Sequence, residues 1–225
     1  MKRFTALAAL GLFAAGSASA AQIVQSELFG PGTPNFSTTL TFNQFNGNLA
    51  DLISVQVSLS LAVSGGNLIV DNDGADPALV NVELGAAATL TSVDVVLLNN
   101  AFQNVVGTVS ASTSDVFNLA GNVGDGLNDF DPSGPDGAIL IGGNDSDSNG
   151  GFINALFFPG YVGAGTFDVT ANVQQILDFG GVGGVEGAFN SVLAEGKVTV
   201  IYNYVPEPAS LSLLALVGLI AARRR

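Results

Sequence analysis

Apolar and polar side chains alternate along much of the chain with a period of two. From Val55 to Val63 the order VQVSLSLAV puts Val55, Val57, Leu59, Leu61 and Val63 on one face and Gln56, Ser58, Ser60 and Ala62 on the other. Successive side chains of an extended strand point to opposite sides, so this segment predicts a strand with one buried face. Less regular alternation predicts strands at Gln22 to Phe29, Thr38 to Phe45, Leu68 to Asp71, Ala88 to Leu98, Val105 to Ser110 and Val116 to Leu119. Further strands are predicted at Ala138 to Ile141, Ile153 to Phe158, Thr166 to Thr170 and Lys197 to Tyr204. Clusters of Gly, Asn, Asp and Pro separate them, the residue types that tight turns require. Many short strands joined by polar turns predict an all-β fold, an antiparallel β-sandwich. One helix is predicted at Val173 to Phe179, where Val173, Ile176 and Leu177 recur at three and four residues ahead of Gly180-Gly181. A second is predicted through Phe189 to Ala194, with a glycine-dense loop from Gly180 to Gly187 between the two.

Both ends depart from this pattern. At the start, Lys2 and Arg3 precede an apolar stretch from Phe4 to Ala15 and a small-residue end, where Ala18 and Ala20 form an Ala-x-Ala cleavage site. Residues 1–20 are therefore expected to form a signal helix that is removed, leaving Ala21 as the first residue. At the other end, Pro206-Glu207-Pro208 is followed by an uncharged run from Ala209 to Ala222 and by Arg223, Arg224 and Arg225. Fourteen residues make a hydrophobic helix of roughly 21 Å, short of a hydrocarbon core of about 30 Å, yet snorkelling arginines and local thinning bring a span within reach. The arginines stay on the cytoplasmic side, which puts Pro206 outside the inner membrane. The prolines disfavour helix at the residues before them, so the triplet presents the extended backbone that a peptidase binds. Three segments follow from this reading: 1–20, a body at 21–204, and a tail at 205–225.

The triplet, the apolar run and the arginine cluster, in that order, resemble the PEP-CTERM sorting signal of exported proteins of biofilm-forming Gram-negative bacteria. The resemblance implies an exosortase as partner, a membrane cysteine protease that cuts at the signal. It also implies a transient inner-membrane anchor, then the cell surface or extracellular matrix. Within the body, Leu40-Thr41-Phe42-Asn43-Gln44-Phe45-Asn46 followed by Leu52-Ile53-Ser54-Val55 is similar to the opening of the choice-of-anchor E domain. Asp129-Phe130-Asp131-Pro132-Ser133-Gly134, Tyr161-Val162-Gly163-Ala164-Gly165-Thr166 and Val198-Thr199-Val200-Ile201-Tyr202-Asn203-Tyr204 extend the likeness in order. That family implies a surface protein with variable C-terminal anchors and no established activity.

Charge sharpens the picture. The body holds 18 acidic residues against Lys197 alone, a formal charge of −17. Such a field repels nucleic acid and anionic lipid, and it attracts divalent cations. The chain contains no cysteine and no histidine, so thiol chemistry, disulfides, imidazole bases and a Ser-His-Asp triad are all excluded. A glycosidase carboxylate pair is the one enzymatic option left, and with the acids lying in turns and no tryptophan to stack a sugar, no enzyme is expected. The sharpest candidate site is calcium at Asp145, Asp147 and Asn149, within Asp145-Ser146-Asp147-Ser148-Asn149-Gly150, which fits the first half of an EF-hand loop. Leu156 occupies the twelfth position, where a bidentate glutamate belongs, so neighbouring acids would have to complete the shell. Those are Asp129, Asp131 and Asp136, or Asp71, Asp73 and Asp76; the competing reading makes all three clusters solvated turns. Phe157, Phe158 and Tyr161 are candidates for a platform on which exopolysaccharide stacks, against the commoner role of core packing. Tyr202 and Tyr204 are expected to pack with a wet hydroxyl.

Overall fold

A computed structural model describes residues 19–122, 130, 132–181 and 183–206. The expected N-terminal and C-terminal helices lie outside these residues. The described chain is built from strands: β1 (Ala21–Gly32), β2 (Phe36–Asn43), β3 (Leu52–Ser64), β4 (Asn67–Asn72), β5 (Ala78–Thr91) and β6 (Val109–Leu119) come first. They are followed by β7 (Gly137–Ile141), β8 (Asp145–Phe152), β9 (Thr166–Asp178), β10 (Val185–Asn190) and β11 (Leu193–Tyr204). Two short 3₁₀ turns, Leu49–Asp51 and Ala155–Tyr161, interrupt them.

Every strand pair is antiparallel, and the strands form sheets in the orders β1-β11-β3-β8, β2-β9-β5-β6 and β10-β4-β7. The first two are the layers of a sandwich-like body. Inward residues of β3 (Val55, Val57, Leu59, Leu61, Val63) and β11 (Val198, Val200, Tyr202) share one core with Leu40 and Phe42 of β2, Phe167 and Val169 of β9, and Val80 to Leu90 of β5. Aromatic rings tie the layers together: Phe29 of β1 meets Phe36 of β2 at 6.4 Å between centroids, and Phe45, just past β2, meets Tyr202 of β11 at 5.9 Å.

The three-stranded sheet continues the first layer past a crease. Strands β3, β8 and β11 run in chain order into or out of β4, β7 and β10, and the lateral order is the same on both sides. The crease follows from glycine. Gly65 and Gly66 have φ of +68° and +79°, values that disfavour any side chain, and a Cβ on Gly142 would collide with the Gly65 carbonyl. The Gly142 amide donates to the Gly66 carbonyl at 3.0 Å, so two backbones touch where the sheet turns.

Several sequence expectations are corrected. Val173 to Phe179 is not helical: Thr166–Asp178 is one strand, and Phe167, Val169, Ala171 and Val173 alternate inward until Leu177 reaches its partner Leu84. Pairing with β5 outweighs the local three-and-four spacing. Phe189 to Ala194 is likewise the end of β10 and the start of β11, with buried Val192 at the crease. The strand placed at Ala88 to Leu98 begins earlier and stops at Thr91, because the Ser92 hydroxyl accepts from the Asp94 and Val95 amides and folds the chain aside. Ile153 to Phe158 is mostly 3₁₀ turn, started by the Asn154 side chain accepting from the Leu156 amide at 3.0 Å.

Candidate functional site

The two chain segments expected to be processed leave the body side by side. Ala21, the first residue of β1, is register partner of Tyr204, the last of β11. The Gln22 side chain donates to the Asn203 side chain at 3.1 Å, and the Val205 amide donates to the Asp51 carbonyl at 2.8 Å. Exposed Ala20 therefore stands next to Val205 and Pro206 at one pole. An open cleft of about 590 Å³ lies there, lined by Ile23, Phe45, Asn46, Asp51, Tyr204 and Pro206. Ala18, Glu207, Pro208, Arg223, Arg224 and Arg225 lie outside the described residues.

Asp145, Asp147 and Asn149 do not form a turn. They occupy β8, an edge strand, across from Val63, Leu61 and Leu59. A strand spreads same-face residues about 6.6 Å apart in a row, whereas an EF-hand loop curls its oxygens around one point. The row faces the seam between the two layers. There the Asp145 carboxylate accepts from the Ser112 amide of β6 at 2.9 Å, and the Asp147 carboxylate accepts from the Ser148 amide at 2.7 Å. Among the described residues, no three His, Cys, Asp or Glu side chains come together as a metal-holding group.

The other acids sit at the pole opposite the tails. Asp71, Asn72 and Asp136 are buried. The Asn72 amide donates to the Asp136 carbonyl at 3.0 Å, while the Asn72 side chain donates to the carbonyls of Asp76 and Ala120 and accepts from the Gly74 amide. Asn72 thus organises the loop carrying Asp73 and Asp76 from within. Asp129 and Asp131 lie outside the described residues.

The aromatics Phe157, Phe158 and Tyr161 take the packing role rather than that of a platform. Phe158 and Tyr161 are buried, and the Tyr161 hydroxyl donates to the Val96 carbonyl at 2.9 Å. Half-buried Phe157 packs edge-on against Phe102 at 6.3 Å. Tyr202 is fully buried rather than wet at its tip, and its hydroxyl donates to the Asn43 carbonyl at 3.0 Å. Burial pushes both Tyr161 and Tyr202 well above the ordinary tyrosine range, and for Tyr161 the neighbouring Tyr202 adds to the effect. Neither hydroxyl is a base near neutrality.

One exposed array was missed in the sequence reading. On the outer face of the second layer, Ser37 bonds Asn172 at 2.8 Å, Thr41 bonds Asp168 at 2.7 Å, and Thr39 meets Thr170 at 3.4 Å. Asn172 reaches on to Thr91 at 3.1 Å. Its signal in the sequence is the polar half of the alternation in Ser37-Thr38-Thr39-Leu40-Thr41.

No protein-family model matches the chain, and no curated protein matches it. Among solved structures, one titled Desmodium yellow mottle tymovirus aligns over 93% of this chain and 95% of its own, with 7% identity and a TM-score of 0.19. The empty head of turnip yellow mosaic virus aligns over 93% of each chain with 5% identity and a TM-score of 0.17. The Gt strain of infectious bursal disease virus aligns over 91% of this chain and 48% of that one, with 15% identity and a TM-score of 0.12. Likenesses this slight carry no argument about fold or role.

Proposed function

We propose that the chain is an exported, acidic, all-β surface protein whose tail at 205–225 is an exosortase sorting signal. Its body at 21–204 serves as a structural or adhesive component of the cell envelope or extracellular matrix. The carrying observation is the order Pro206-Glu207-Pro208, apolar run, Arg223 to Arg225 behind a body of charge −17. The pairing of Ala21 with Tyr204 supports it, because both tails then reach one membrane from one pole without crossing the body. Among the described residues no helix is long and apolar enough to cross a membrane. Mass determination of the matrix-borne form tests the proposal. A form trimmed at Ala21 and near Pro206 is expected; the intact chain free inside the cell overturns it.

A second reading, a calcium-dependent carbohydrate-binding or adhesion module, is favoured by the formal charge of −17 on the body, a field that attracts divalent cations. Calorimetry with and without calcium, together with retention on exopolysaccharide, separates the two. A melting temperature indifferent to calcium, with no retention, leaves the structural role.

A further inference from the structure

Strand β1 is the longest edge strand among the described residues, and it pairs with one strand only. All of its ladder pairs are with β11, and of its twelve side chains only Phe29 is buried. The remaining fastenings are polar. Gln22 bonds Asn203, Ser26 meets Thr199 at 2.9 Å, and Gln25 exchanges hydrogen bonds with the backbone of Asn43. The surface that receives β1 is keyed to it. A Cβ on Gly196 would collide with the Phe29 ring, so the absent side chain is the socket in which that ring sits.

The connection to β2 is only residues 33–35, and it crosses from one layer to the other. Gly30 ahead of it has φ of +79°, and Asn35 at its end has φ of +78°, a left-handed conformation few side chains adopt. A short, strained hinge next to a terminal strand is the arrangement that favours exchange between identical chains.

We propose that β1 is exchanged between copies of this chain, the strand of one copy lying on β11 of the next. Every contact of β1 outside its hinge is reproduced in the exchanged form, because each copy carries the same β11 edge, Gly196 socket and Asn43 backbone. Opening the hinge relieves Asn35. Reciprocal exchange between two copies closes a two-fold dimer, whereas exchange passed from each copy to the next is head-to-tail and extends into filaments when it does not close into a ring. Filaments suit a matrix component. The inference rests on the export reading in one respect: removal of residues 1–20 frees the amino end of β1.

The chain has no cysteine, so introduced thiols report on themselves. Two full-length chains with different tags, one carrying Ser26→Cys and the other Thr199→Cys, are co-expressed, exported, recovered from the medium and oxidised. Exchange predicts a mixed disulfide at least ten-fold more abundant than that from Ser37→Cys with Asn172→Cys. Those control side chains touch at 2.8 Å in β2 and β9, neither of which has a free end. With both Ser26→Cys and Thr199→Cys on one chain, exchange predicts a ladder of linked multimers on a denaturing gel. Linkage confined within single chains, or a mixed product no greater than the control, overturns the proposal. So does sedimentation of the unsubstituted processed chain as a monomer at every concentration. A monomeric chain that is nevertheless matrix-borne and trimmed at both ends sinks exchange alone; an intact intracellular chain sinks the export reading.

Discussion

Gly196 and the two buried tyrosines show how single positions constrain the body. Gly196 faces both the Phe29 ring and the Ser60 carbonyl, so even one methyl there displaces the ring, the strand or both. Overpacking of this kind costs about 1–3 kcal/mol. Gly196→Ala is therefore expected to lower the melting temperature by roughly 2–12 °C for a body of this size, as read by calorimetry. Tyr161 and Tyr202 hold their protons in the fold beyond the pH of about 10 at which an unfolded chain releases them. Their contribution is complete below pH 10 and is lost as pH rises toward the folded-state values, each adding a slope of about 1.4 kcal/mol per pH unit. Tyr202→Phe removes one of the two side-chain donors to the Asn43 carbonyl, which keeps the Gln25 amide, costing about 1 kcal/mol at pH 8, and removes one of the two slopes. Urea unfolding at pH 8, 10 and 11 measures both effects. The chain lacks tryptophan, so absorbance at 295 nm follows the tyrosinates directly. An unchanged alkaline slope in the variant would place the titration elsewhere.

At the scale of elements, legibility followed burial. Strands β3 and β11 lie inside a layer with one face in the core, so their sequences carry the clean alternation that period-two reading detects. Strand β8 carries none, since as an edge it has no buried residue: Asp145-Ser146-Asp147-Ser148-Asn149-Gly150 has the composition of a turn but the backbone of a strand. The end of β9 misled for a related reason. Beyond Val173 its side chains are only partly covered, the alternation fades, and what remains matches a helical spacing by coincidence. The candidate calcium residues lie on one face of a strand, along a line rather than around a point. Their position suggests a different use, because charges pointing into a seam keep a bare strand edge from recruiting another chain. Asp147→Val with Asn149→Val raises strand propensity while removing that guard. The expected result is a several-fold rise in light scattering at 37 °C with the melting temperature held or raised. Scattering that stays at the level of the unsubstituted protein would mean that β8 needs no such protection.

For the whole molecule, the decisive quantity is charge. Eighteen acids and one base confined to one folded body repel one another more than they do in an expanded chain, so folding works against its own field. Salt shortens the reach of that field from about 30 Å at 0.01 M to about 10 Å at 0.1 M. Raising sodium chloride across this range is therefore expected to raise the melting temperature by a few degrees, since about 1 kcal/mol corresponds to roughly 2–4 °C here. The same measurement separates screening from binding. At matched ionic strength, calcium chloride that merely screens reproduces the sodium chloride curve closely, whereas a cation held by the buried acids at the far pole, Asp71 and Asp136, lifts the curve further and saturates. A melting temperature that falls with salt would show that the acids stabilise one another through local hydrogen bonds, as Asp145 does with the Ser112 amide, more than they repel at a distance.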